Sequence, residues 1–311
     1  MRIEPECIPC VTNMAVSALR HLGVPHEERR EIFSEVLQLP VFRGRDWDQT
    51  SPEVIEKIWE TIRSRTHQTD PFLEAKRLQN ERVLDAAPVL RRQIQAADDP
   101  LKTAVHMAII GNSIDLMIDN HAEGIEAAVK EGLGRHLPKA PYALFSNTLK
   151  SARRIVYLSD NAGEIVFDKL LLEFMRDMMN PEVYFVVRSV PTMNDVTLKE
   201  ARDVGISDVA TVIENGISGP VPGTCLARCS QKLRQQMECA DLIISKGGGN
   251  FDVLEEDLWQ LNTDTTFLLL CKCHPYERYF RRDRYDPIIW NRFLDGPDPL
   301  TSSERKADPC I

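Results

Sequence analysis

The sequence predicts an α/β fold: a Rossmann-like, mostly parallel sheet of about five or more strands with helices on both faces, preceded by an all-helical amino-terminal domain. Three observations predict it. Five short apolar runs begin near residues 153, 183, 209, 242 and 267, a spacing close to the roughly 30 residues of a βαβ unit. Each run is β-branched or uniformly apolar, as in strands buried on both faces. Before residue 150 strand signals are nearly absent, and apolar residues recur at helical spacing instead.

Taken in order, Val54, Ile55, Ile58, Trp59 and Ile62 fall on one helical face and Leu84, Ala87, Leu90 and Ile94 on another. Pro40, Pro52, Pro71, Pro88, Pro100, Pro138 and Pro141 punctuate this part of the chain. We therefore expect a helical domain over 1–150, packed on the sheet edge, and an α/β metal- and phosphate-binding domain over 151–311. The linker is expected near 137–150. The first strand, RRIVYL (153–158), runs into DNAGE (160–164) and then the helix IVFDKLLLEFM. VYFVV (183–187) is followed by Arg188, Ser189 and Asn194-Asp195. VATVI (209–213) ends more plainly in Glu214-Asn215-Gly216. LIIS (242–245) leads to Lys246-Gly247-Gly248-Gly249-Asn250, and FLLL (267–270) to Cys271-Lys272-Cys273-His274. The polar, proline-rich tail 295–311 reads as loosely held.

Polar residues gathered at the carboxyl ends of parallel strands mark the edge where ligands bind in open α/β sheets. Asp160 and Asn161 alone could be a helix N-cap, but the polar theme repeats at later strand ends. Asp160, Asn161 and Asp195 would supply three oxygens to a divalent cation, with Mg, Mn, Co and Ni all compatible. Lys246 and Lys272 are candidates to hold a phosphate. Gly247 and Gly248, with Gly249, let the backbone approach an anion and offer its N–H groups. Glu164 and Asp195 are candidate proton carriers; His274, beside a proline, reads as structural. Arg188 joins the substrate-binding candidates. Asn112 and Asp115 lie three apart, sharing a face of a helix that Gly111 could open, and would close over metal and substrate. Asp70 and Lys76 read as a helix start.

The stretch SDNAGEIVFDKLLLEF, with RSVPTMNDVT, ISKGGGNFDVL and the CKC of the last strand, resembles the damage-control phosphatase family. That family was long catalogued as domain of unknown function 89 and has relatives described as acidic-residue methyltransferases. CIPC near the start, DPFLEAK (70–76) and GNSID (111–115) extend the resemblance over most of residues 5–275, and the CxxC matches the prokaryotic, stand-alone branch. The resemblance implies a metal-dependent phosphatase acting on small phosphorylated metabolites. It implies metal ligands at Asp160, Asn161 and Asp195 and a phosphate-contacting lysine at Lys246 or Lys272. After Cys273 the chain departs from the family pattern, with HPYERYFRRDRYDPIIWNRF in place of a small apolar continuation.

Composition sets the outer limits. A chain of 311 residues, 43% hydrophobic, is long enough for two cores. A formal charge of −9 leaves no basic footprint for nucleic acid, and implies that an anionic substrate is drawn in by a local metal. No apolar run approaches the roughly 18 residues of a membrane helix and MRIEPEC is too polar for a signal peptide, so we expect a cytoplasmic protein. Cys7 and Cys10 have a chelating spacing that Cys271 and Cys273 could complete, but a lone CxxC is a poor zinc signal. We expect the pair to brace the amino terminus, away from the sheet, and take Cys225, Cys229, Cys239 and Cys310 as unligated. Two rivals remain: an S-adenosylmethionine-dependent methyltransferase and a non-catalytic metabolite-binding module. Against the first, DNAGE has one glycine where a dinucleotide loop has three. The sequence sets no oligomeric state.

Overall fold

In the computed structural model, which describes residues 1–113 and 124–294, helices occupy the chain up to the first strand. They are α1 (Cys7–His21), α2 (His26–Val36), α3 (Ser51–Thr66), α4 (Leu73–Ala96), α5 (Pro100–Gly111), α6 (Ile125–Leu133) and α7 (Lys139–Ser151). The sheet half follows as β1 (Arg154–Leu158), α8 (Glu164–Met178), β2 (Glu182–Val187), α9 (Leu198–Val204), β3 (Thr211–Glu214) and α10 (Gln231–Glu238). It continues through β4 (Leu242–Lys246), α11 (Gly247–Leu254), β5 (Thr265–Leu270), α12 (His274–Phe280) and β6 (Pro287–Arg292).

The strands form one sheet in the order β3-β2-β1-β4-β5-β6. The first five are parallel, and β6 pairs antiparallel with β5. All five expected runs become strands. The third starts later than its sequence suggests, because the N–H groups of Val209 and Ala210 both bond back to Ile206 O and close the preceding turn. β6 had no expectation attached to it. It lies in the segment where the chain leaves the family pattern, and it begins with Pro287, which an edge strand tolerates.

Successive residues of a strand point to opposite faces, and the two cores divide accordingly. Ile155 and Tyr157 join Phe185, Val187, Ile244 and Leu268 on the face covered by α4, α5 and α8. Val156 and Leu158 join Val186, Ile243 and Phe267 on the face covered by α10, α11 and α12. Burial on both sides is why the runs read as unbroken apolar stretches. Residues of α1 to α3, with Phe72, form a third cluster of their own. The helical part of the chain is thus packed in two ways, since α4 to α7 share the core of the sheet.

Two local expectations are corrected. Pro88 does not break a helix but sits inside α4; buried Val83, Ala87, Leu90 and Ile94 on either side hold the helix through it. Gly111 does not open a helix but closes one. Asp99 caps the start of α5 by accepting from Lys102 N at 3.0 Å, and Asn112 is its C-cap. Residues 115 and 295–311, named above, lie outside the described residues. No helix among the described residues is long and apolar enough to cross a membrane.

Candidate functional site

The strand order reverses between β1 and β4, and such a switch point opens a crevice beyond the carboxyl ends of the strands. The loop after β1 is stitched there to the loop after β2. Val196 N bonds to Asp160 O at 2.9 Å and Ala162 N to Asn194 O at 2.8 Å, and Asn161 and Asp195 form an isolated antiparallel bridge. Asp160, Asn161 and Asp195 are brought together by these backbone bonds.

Asp160 Oδ2 accepts from Asn161 Nδ2 at 2.6 Å and from Asn112 Nδ2 at 3.0 Å; Asn112 also donates to Glu164 Oε2 at 2.9 Å. On the β4 side, the backbone of Gly247 lies so close that a Cβ built there would be 1.8 Å from Asp160 Oδ2, and its φ is +75°. Only glycine fits that approach. Gly247 and Gly248 open α11, and Tyr276 donates to the Gly248 carbonyl at 3.1 Å.

Arg188, expected among the substrate-binding residues, is buried and supports Asp195. Its Nε donates to Asp195 Oδ2 at 2.6 Å and its Nη1 to Thr224 and Asn250 at 3.1 and 3.3 Å. Its Nη2 lies 3.8 Å from Asp160 Oδ1. Lys246 departs furthest from its expected role. It is 0% exposed, and its ammonium donates to Ala108 O at 2.9 Å, to Glu164 Oε1 at 2.7 Å and to Asp168. An ammonium has three donors, so none remains for a phosphate. Lys272, beyond the end of β5, is the other candidate, and its charge acts on Asp160. It also lines a cavity of about 230 Å³ with His106, Ser113, Arg135 and Tyr285. Ser113 adjoins Asn112, so this cavity borders the site. His106 and Arg135 also line a larger cavity of about 1140 Å³. Exposed His274 pairs with Glu277 on its own helix.

Burial, with Glu164 and then Asp195 adding to it, pushes the Asp160 carboxyl well above the usual range, against the pull of Arg188 and Lys272. Burial also raises Asp168 to about 6, opposed first by Lys246. Asp160, Glu164, Asp168 and Asp195 thus face two buried cations, Lys246 and Arg188, an anionic surplus that a hard divalent cation would neutralise. Asn112 Oδ1 is buried without a hydrogen-bond partner, as are Asp168 Oδ2 and Arg188 Nη2. Among the described residues, no three His, Cys, Asp or Glu side chains are grouped so as to hold an ion. A donor set for an ion here would have to be mixed, the Asp160 and Asp195 carboxylates with the Asn161 amide oxygen, all oxygen donors of the kind a hard cation takes.

Several residues escaped the sequence reading. Asp168 lies one turn beyond Glu164, a spacing that places both on one helical face and could have been noticed; Tyr157 donates to its Oδ1 at 2.7 Å. Asn250 donates to Ser159 O and Lys246 O at 2.9 and 2.8 Å and so ties β4 to the end of β1. Asn80 accepts from Gly163 N at 2.6 Å. Lys76, fully buried, bridges Asp70 at 2.8 Å and Glu200 at 3.1 Å. The Lys76–Glu200, Gly163–Asn80 and Asn250–Ser159 contacts have no local signal, because each partner comes from a distant element; Lys76, read from the sequence only as part of a helix start, is also a buried ion-pair partner. Cys271 is buried with its thiol toward Arg282 O at 3.6 Å, turned out of any thiolate set with Cys7 and Cys10.

A family model described as the damage-control phosphatase ARMT1-like domain matches residues 3–287. The chain is similar to a damage-control phosphatase of Pyrococcus horikoshii, 28% identical over 276 residues that make up 88% of this chain and 92% of the relative. It is also similar to a damage-control phosphatase of Archaeoglobus fulgidus, 31% identical over 211 residues, 67% of this chain and 71% of the other. An uncharacterized protein of Methanocaldococcus jannaschii is 27% identical over 298 residues, 94% and 96% of the two chains. Among solved structures, a duf89 family protein of Pyrococcus horikoshii superposes with a TM-score of 0.79 at 27% identity, covering 92% of this chain and 98% of that one.

Proposed function

The chain belongs to the damage-control phosphatase ARMT1-like family, and from that premise we propose that it is a metal-dependent phosphoric monoester hydrolase acting on small phosphorylated metabolites in the cytoplasm. The observation that carries the proposal is the group of four buried carboxylates, Asp160, Glu164, Asp168 and Asp195, at the switch point of the sheet, against two buried cations, Lys246 and Arg188. Asp160, Asn161 and Asp195 would hold a divalent cation of the Mg, Mn, Co or Ni kind. Such an ion, when bound, neutralises phosphoryl charge and lowers the pKa of a bound water.

The chain's own residues do the remaining work. Asn112 and Asn161 fix the Asp160 carboxylate, and Arg188 fixes Asp195. Glu164, fixed by Lys246 through one oxygen and by Asn112 through the other, is the group placed to hold or pass a proton. Lys272 binds the phosphate beside Asp160, and the N–H groups at the start of α11 add donors without a side chain in the way. The adjoining cavity that Lys272 shares with His106 and Arg135 receives the leaving group. Attack comes from water or from the Asp160 carboxylate, and rapid quenching for an aspartyl phosphate separates the two routes.

The test is a phosphatase screen of metabolite phosphates with each metal in turn, on the wild type and on Asp160→Asn and Asp195→Asn. We expect turnover only with metal, and its loss in both variants with the fold intact. Near-normal turnover in either variant would sink the assignment. Tight binding of S-adenosylmethionine without turnover would favour a methyltransferase.

A further inference from the structure

The CxxC at the start of the chain has no part in the phosphatase reading, yet it is not remote from the sheet. Cys7 and Cys10 are the first and fourth residues of α1, a spacing that sets their Cβ atoms about 5–6 Å apart on one face. A disulfide needs Cβ atoms within about 3.5–4.5 Å. Closing one asks for a small adjustment of a helix end that no side-chain cap holds. Cys10 is exposed and Cys7 half-buried, so a small reagent reaches them.

The start of α1 is tied to the last turn of α12. Arg278 of α12 pairs with Glu6 at 2.8 Å and with Glu4, both just before α1, while Cys273 is the residue that precedes α12. Burial pushes the Cys273 thiol up to about 12, with Asp252, Cys7 and Cys10 adding to the rise. The charge of Lys272 acts both on the Cys10 thiol and on the Asp160 carboxyl. Lys272-Cys273 lead directly into α12, so the segment that carries the candidate phosphate lysine is continuous with the helix to which the start of α1 is tied. A thiolate metal centre would be the other use of a CxxC, but the described residues contain no three-ligand grouping of that kind, and Cys271 points away.

We propose that Cys7 and Cys10 form a reversible dithiol/disulfide site, oxidised by a small disulfide such as glutathione disulfide, and that its state sets the position of Lys272 and hence phosphatase turnover. The coupling to turnover rests on Lys272 binding the phosphate; the thiol chemistry does not. One thiolate attacks the reagent and displaces a glutathione thiolate, giving a mixed disulfide. The second attacks that disulfide, forms the Cys7–Cys10 bond and displaces the other glutathione. Two electrons pass from the protein to the reagent, and two thiol protons leave with the two reduced glutathiones.

The experiment treats the whole protein with mixtures of reduced and oxidised glutathione, alkylates the remaining thiols, and reads the peptide holding residues 7 and 10 by mass. In the same samples kcat/KM is measured. We expect loss of both alkylation sites on that peptide, reversal by dithiothreitol, and at least a threefold fall in kcat/KM on oxidation. The double variant Cys7→Ser, Cys10→Ser should keep the reduced activity and ignore glutathione. Full alkylation of that peptide at every ratio, or pairing of Cys10 with Cys273 instead, overturns the site. A disulfide with unchanged kcat/KM overturns the coupling to Lys272. A protein inactive in both states but still forming the disulfide overturns the phosphatase reading and supports the pair.

Discussion

The two lysines that looked alike in the sequence are separated by their surroundings. Lys246 is held by three acceptors with no exposure, and removing one member of a buried charge network leaves the others uncompensated, at about 3–5 kcal/mol. Lys246→Met should therefore lower the melting temperature strongly and take activity with it. Lys272→Ala should leave the melting temperature near that of the wild type and cut kcat/KM by about a hundredfold or more, the cost of losing a charged contact to the transferring group. A Lys246→Met protein that melts normally would reverse this assignment. The distinction was not legible in the sequence, because a lysine at a strand end reads the same whether it faces a crevice or a carboxylate of the neighbouring helix. DNAGE and Asp195 were legible, since the residue types and the strand ends that carry them are local. At Gly247 the glycine is required by one oxygen, Asp160 Oδ2. His106 carries a pH effect of its own. Burial, with Lys102, pushes its imidazole down to about 4, below the unfolded value of about 6.5. The unfolded state then binds the extra proton, so stability is full above pH 6.5 and falls as pH drops toward 4, by at most about 3 kcal/mol. Replacing it in His106→Gln should flatten the dependence of melting temperature on pH in that window.

At the scale of elements, the site depends on how closely α5 approaches α8. A Cβ on Gly111 would lie 2.9 Å from the Phe167 ring, so the two helices meet where α5 ends, and that contact sets where Asn112 reaches Asp160 and Glu164. Gly111→Val should cost about 1–3 kcal/mol by overpacking and lower turnover by more than the lost stability explains, because Asn112 is displaced. A variant that is destabilised but has wild-type kcat would show that Asn112 is a spectator. Four of the parallel strands, β1, β2, β4 and β5, were readable because both of their faces are buried and no alternation competes with the apolar signal; β3, at the edge and only partly buried, was readable only as a β-branched run whose start came out late. β6 was not, because its short mixed run PIIWNR follows a charged segment and forms only against β5. Pro88 misled for a related reason: a buried face on both sides of it outweighs a local breaker.

For the whole molecule, the question is how a chain with a formal charge of −9 tolerates carrying part of that negative surplus in its interior. Burial alone answers by favouring the protonated form of the Asp160 carboxyl, whose pKa it pushes up with Glu164 and Asp195. A divalent cation answers differently, by letting Asp160 and Asp195 ionise together and by drawing an anionic substrate toward a locally positive point. The two answers differ in a measurable way. An ion that binds the folded state alone adds RT ln(1 + [L]/Kd), about 2.7 kcal/mol at a hundred times Kd, which should raise the melting temperature by several degrees. We expect the chelated protein to gain that increment on addition of Mn or Mg at neutral pH and to lose it near pH 4, where protons compete for the same carboxylates. Asp160→Asn should abolish the gain and itself melt no lower than the chelated wild type, because one acid crowded by Glu164 and Asp195 has become a neutral amide while the Arg188–Asp195 pair is kept. If the wild type shows no metal-dependent shift while its melting temperature rises on mild acidification alone, protons and not a cation balance these carboxylates, and the metal chemistry proposed for the site falls with it.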